Sequence, residues 1–128
     1  MRDVVYEDEH LRIEELPLDR VVIVRRLPTK APPEVLAEAY REALERQSKR
    51  HQGWSMILDL REAPGRSDEG FENMMAPLTR TARRVFVRVV TLVRSAAGEL
   101  QANRLARESG WVAAVARDEA SAIELCRG

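Results

Sequence analysis

The chain has 128 residues, 21 Lys or Arg against 21 Asp or Glu, 45% hydrophobic and 33% charged residues. That length fits one domain, 1–128, and buries roughly two-thirds of its unfolded surface, so no disulfide or metal is needed to hold a core. The charge balance excludes a global field favouring nucleic acid or an anionic membrane and leaves only local patches. The composition excludes a disordered chain.

Cys126 is the one cysteine, which excludes an internal disulfide and fits a reducing compartment. Its apolar spacing with Ile123 reads as a small buried hydrophobe. The N-terminal stretch "MRDVVYEDEHLRIEEL" is acidic and alternating, without an apolar run of signal-peptide length. No later stretch approaches a membrane span. The expectation is a cytoplasmic protein.

In chain order, "VVYED" and "LRIEEL" read as two short strands around Glu9 and His10. Leu11, Ile13 and Leu16 alternate with Arg12 and Glu14, as in a half-buried edge or hairpin. "VVIVRRL" is a stronger strand, rich in β-branched residues. Pro32 and Pro33 break the chain, and Pro33 suits the first turn of a helix. "PEVLAEAYREALERQSKR" is the clearest helix, with Leu36, Ala39, Tyr40, Ala43 and Leu44 on one stripe. "WSMILDL" is nearly all apolar until Asp59, as a central strand covered on both faces would be. Ser67 then caps a helix, with Asp68 and Glu69 in its first turn. Pro77 interrupts the helical repeat of Phe71, Met74, Met75, Leu78 and Ala82. "VFVRVVTLV" reads as another central strand, and "AAGELQANRLARES" as a helix ended by Gly110. "WVAAVA" is a short strand, and "DEASAIELC" a last helix with Asp118 as its N-cap.

The order β-β-β-α-β-α-β-α-β-α predicts an α/β fold. Alternation after the third strand implies right-handed crossovers and a mixed, mainly parallel sheet, with an antiparallel hairpin leading in and about four helices.

Three pieces carry a resemblance to a known family: "WSMILDLREAPGRSDEGFENMM", "VVTLVRSAAGELQANRLARESG" and "VAAVARDEASAIELC". In them the chain resembles the STAS family, the anti-sigma-factor-antagonist fold, and within it the small STAS-like proteins grouped with Sec14 domains. The likeness is one of pattern, covering about half the chain by residues and nearly all of it by element order. It implies a single STAS-like domain. In family members that act as phospho-switches, the loop after the central strand carries Asp-Ser-Ser-Gly at the start of the next helix. A kinase phosphorylates one serine there and so breaks its own binding. With Gly70 in the place of that glycine, Ser67, Asp68 and Glu69 precede it. Carboxylates then replace the acceptor hydroxyls, and Ser67 alone can take a phosphate. The resemblance implies a protein partner for this corner, either a kinase-like regulator or a second copy in a homodimer.

The residues themselves carry little catalytic chemistry. His10 and His51 lack partners at metal-ligand spacing, and His51 in "SKRHQG" reads as solvated. Asp59 is a general base in principle, but no nucleophile with a matched histidine and no glycine-rich phosphate loop accompanies it. No cofactor is implied. Arg61, Arg66 and Ser67 would meet an anion at the carboxyl edge of the sheet, whereas Asp68 and Glu69 would repel one. Arg80, Arg83 and Arg84 sit at a helix end, where cations complement the dipole. With Arg88 they lack the interleaved aromatics that stack bases, so nucleic acid is not expected. The expectation is a non-enzymatic interaction module using Arg66, Ser67, Asp68, Glu69 and Gly70. The alternative is a carrier or sensor of a small lipid-like ligand held by Phe71, Met74, Met75 and Leu78, since methionine recurs at permissive binding surfaces.

Overall fold

The structure, a computed structural model, describes residues 2–63, 80–108 and 114–127. Six strands lie side by side in chain order: β1 (Asp3–Glu7), β2 (Leu11–Leu16), β3 (Val21–Arg26), β4 (Ser55–Asp59), β5 (Arg88–Leu92) and β6 (Val115–Ala116). The helices are α1 (Pro33–Gln47), α2 (80–85), α3 (Ala96–Glu108) and α4 (Glu119–Arg127). β1, β2 and β3 pair antiparallel, and β3, β4, β5 and β6 pair parallel. The expected mixed α/β sheet with a leading hairpin is therefore present.

The period of two sorts the strand side chains. Register sets Ile13 beside Val24 and Val24 beside Leu58, facing one side. There they join Met56, Ala39, Tyr40, Ala43 and Leu44 of α1, and Ala82, Val85 and Phe86 in one core. All five stripe residues of α1 are buried, and Pro33 occupies the first turn as expected. Burying an aliphatic side chain contributes about 1.5–3 kcal/mol, so this stripe does more for α1 than its helix propensity. Val21, Ile23, Ile57, Val90 and Leu92 face the other side, under Ala122 and Cys126 of α4. The Cys126 thiol is pushed up to about 11, chiefly by burial, and behaves as an inert apolar group.

Two local expectations are corrected. β5 begins at Arg88, not Val85. The Phe86 amide donates to the Ala82 carbonyl at 2.9 Å, closing a last helical turn. Val85 and Phe86 enter the α1-side core from that turn, so packing overrides their strand preference. Glu14 was expected to face outward, yet it is buried, because β2 is an inner strand and Arg2 and Arg25 lie over its second face.

Candidate functional site

Parallel strands in register end together. Arg25 of β3 lies beside Asp59 of β4, and Asp59 beside Leu92 of β5. The chain leaves β4 there and enters the segment where the sequence places the partner-binding corner. Asp59 is 2% exposed and points to the α4 face. Its Oδ1 accepts the Arg61 amide at 3.1 Å and Arg61 Nε at 3.1 Å, and its Oδ2 accepts a terminal Arg61 nitrogen at 2.9 Å. The carboxylate thus folds the first two residues of the loop back onto the strand end. This contact holds the Arg61 guanidinium above its ordinary pKa.

The pair sits in a wider network. Arg25 approaches Asp59 at 3.4 Å, Glu14 at 3.1 Å and Glu119 at 3.9 Å. Arg61 reaches Glu119 at 3.5 Å, Arg2 reaches Glu14 at 3.3 Å, and Arg2 also contacts Glu119. Three arginines and three carboxylates from β1's flank, β2, β3, β4, the loop and α4 neutralise one another. Each carboxylate meets at least two arginines. Asp59 accepts several donors, so its lone pairs are committed and it is poorly placed as a general base. The orphan is Arg25 Nε, buried without a hydrogen-bond partner. Glu119 opens α4, where negative charge is favourable, and Asp118 caps that helix by accepting the Ser121 amide at 2.8 Å.

A second buried charge cluster was not visible in the sequence. His51 is fully buried rather than solvated. Its Nε2 lies 2.7 Å from Glu15 Oε2, and its ring tilts against Trp54 with centroids 4.9 Å apart. Arg50 donates twice to the same carboxylate, at 2.7 Å each. The turn after α1 makes this possible. Gly53 takes φ 84, and the chain tucks His51 under the sheet before entering β4. The missed signal is that Tyr40, Leu44 and His51 continue one helical stripe past the end of the helix.

The expected partner-binding residues Arg66, Ser67, Asp68, Glu69 and Gly70 lie outside the described residues. So do Phe71, Met74, Met75 and Leu78 of the alternative ligand site, and Trp111. Trp54 is half-buried against the α1-side core. Arg80, Arg84 and Arg88 are exposed, and Arg88 donates to the Cys126 carbonyl at 3.1 Å. His10 is buried, with Nδ1 2.5 Å from the Thr29 hydroxyl, in the group that ties the β1–β2 turn to the end of β3. An open groove of about 850 Å³ runs beside β6 and α4, lined by Val115, Ala120, Ser121 and Leu125 with the Arg117–Glu99 ion pair. Among the described residues, no three His, Cys, Asp or Glu are grouped to hold a metal, and no helix is long and apolar enough to cross a membrane. No family model, curated protein or solved structure matches the chain.

Proposed function

We propose that this chain is a non-enzymatic regulatory or protein-interaction module of STAS-like type. Its contact surface is the loop after β4 and the helix that follows, centred on Ser67, Asp68, Glu69 and Gly70. One observation carries the reading. The root of that loop is anchored by Asp59, through the Arg61 amide and guanidinium, at the carboxyl edge of the sheet. A loop launched from a rigid scaffold edge is the usual place for recognition residues. The ionisable groups around the root are spent on one another, which favours binding over proton transfer.

The test is site-specific photo-crosslinking in the source cells. A photoreactive residue at position 68 should capture a discrete protein, the same reagent at exposed Glu38 on α1 should not, and Arg61→Ala should weaken the capture. Equal capture at both positions would sink the docking surface. Native mass spectrometry supplies an independent check. A discrete small molecule released on activation would replace this reading with that of a ligand carrier.

A further inference from the structure

The edge of the sheet opposite the loop carries a charge pattern that the balanced composition hides. β3, β4 and β5 start together, with Val21 beside Ser55 and Ser55 beside Arg88. The segments feeding them are tied side by side. The Ser55 amide donates to the Arg20 carbonyl at 3.0 Å, the Gly53 amide to Val85 at 2.8 Å, and the Val87 amide to Trp54 at 2.9 Å. Arg20, Lys49, Arg50, Arg84, Arg88 and Arg127 stand on this edge, all exposed. Glu15 is spent on Arg50 at 2.7 Å, Asp19 and Glu124 on Arg127 at 3.0 and 3.3 Å, and the exposed Asp3, beside Glu15 in the register, adds its charge near Arg50. The last turn of α1 adds Glu45 and Arg46 and is neutral. Among the described residues, Arg20, Lys49, Arg84 and Arg88 have no carboxylate partner.

Two aliphatic side chains project among these cations. Leu18 is 96% exposed and Val87 is 68% exposed. Leu18 rides the tight β2–β3 turn, in which the Asp19 amide donates to Leu16 at 3.1 Å and the Arg20 amide to Pro17 at 3.2 Å. Arg20 takes φ 54 there, a left-handed backbone that glycine or asparagine adopts more cheaply.

The arrangement selects among partners. Cations that stand on separate turns and strand starts are spread along an edge rather than gathered around one small anion. Single-stranded nucleic acid is gripped by aromatics interleaved with the charge, and the described exposed residues of this edge include none. A protein would need a pocket for Leu18 and another for Val87. A lipid interface needs neither, since aliphatic tips enter the headgroup boundary while arginine and lysine meet phosphates. We propose that this edge docks reversibly on an anionic membrane surface, with Leu18 and Val87 entering the interface and Arg20, Lys49, Arg84 and Arg88 meeting the headgroups. Docked so, the chain turns its opposite edge, from which the loop leaves, away from the bilayer.

The experiment is co-sedimentation of the intact chain with vesicles of equal parts phosphatidylcholine and phosphatidylglycerol, and with vesicles of phosphatidylcholine alone. Binding is expected to the first and not the second, and it should fall as salt is raised. A cation near an anionic surface contributes about a fivefold change in partitioning, so Arg20→Ser with Lys49→Ser should weaken binding roughly 25-fold. Leu18→Ser should weaken it at unchanged charge, and Arg41→Ser on α1 should leave it intact. These side chains are exposed, so circular dichroism should show every variant folded. No sedimentation with the anionic vesicles overturns the proposal, as does binding indifferent to Leu18→Ser. Equal binding to soluble polyglutamate, whatever residue stands at 18, also overturns it and assigns the edge to an acidic protein.

Discussion

At the scale of single residues, the buried Glu15 is the clearest source of pH-dependent stability. Its side chain is 1% exposed, yet its pKa is held below the ordinary 4.5, first by the two Arg50 hydrogen bonds and then by His51, against the opposing effect of burial. A depressed carboxylate pKa adds stability that is fully present above the unfolded value and lost as pH falls through the folded one. Urea midpoints are therefore expected to hold near neutrality and to drop below about pH 4.5, with a shallower drop in Glu15→Gln. The His51 geometry fits a ring whose Nε2–H donates to Glu15, while Nδ1 has no partner. In Glu15→Ala the Arg50 side chain, 63% exposed, escapes to water, but the His51 donor stays buried and unmet. That variant should lose about 1–3 kcal/mol by urea titration, the usual penalty for an orphaned buried donor. His51→Phe keeps the Arg50–Glu15 pair and should lose less. If the two single variants and the double variant prove additive, the contact carries no coupling energy.

At the scale of elements, the turns test whether backbone or contacts hold the connections. Gly53 sits at φ +84 with nothing within 4 Å of where a Cβ would project. Gly53→Ala should therefore destabilise by about 1–2 kcal/mol through backbone strain alone, measured as a lower thermal midpoint with an unchanged fold. Arg20→Gly runs the other way. It relieves the φ 54 backbone but adds unfolded-state entropy, and the balance should be a gain of no more than about 1 kcal/mol. Loss of stability in Arg20→Gly would show that the side chain, not the turn, governs this corner. Element identity was legible where one local signal dominated, as with Pro33 and the stripe of α1, or Asp118 as the cap of α4. It failed at Val85 and Phe86, which the end of α2 carries into the core beside α1 instead of into β5. Local preference is about 1 kcal/mol per residue, less than a buried aromatic gains.

At the scale of the molecule, the order of strands and helices could be read from the sequence, but the charge network around Asp59 could not. Arg2, Glu14, Arg25 and Glu119 come from four separate stretches, and only the sheet register and the return of α4 bring them together. No spacing rule links them. The same register brings Arg20, Arg88 and the turns beside them to the opposite edge. The anchoring role of the first cluster leads to a test that separates stability from loop order. Asp59→Ala removes the acceptor of the Arg61 amide and guanidinium and leaves Arg25 with Glu14 and Glu119. Breaking a buried ion pair costs about 3–5 kcal/mol when the partner is stranded. Here Arg61 swings to solvent and Arg25 keeps other carboxylates, so the loss should fall at or below the lower end. Asp59→Asn keeps an oxygen facing the Arg61 amide while removing the charge. Hydrogen exchange distinguishes the two variants. The Arg61 amide should exchange much faster in Asp59→Ala but stay protected in Asp59→Asn, with the Ile57 amide in mid-β4 slow in both. Unchanged protection of Arg61 in Asp59→Ala would mean that another contact holds the loop root, and the docking surface would lose its structural support.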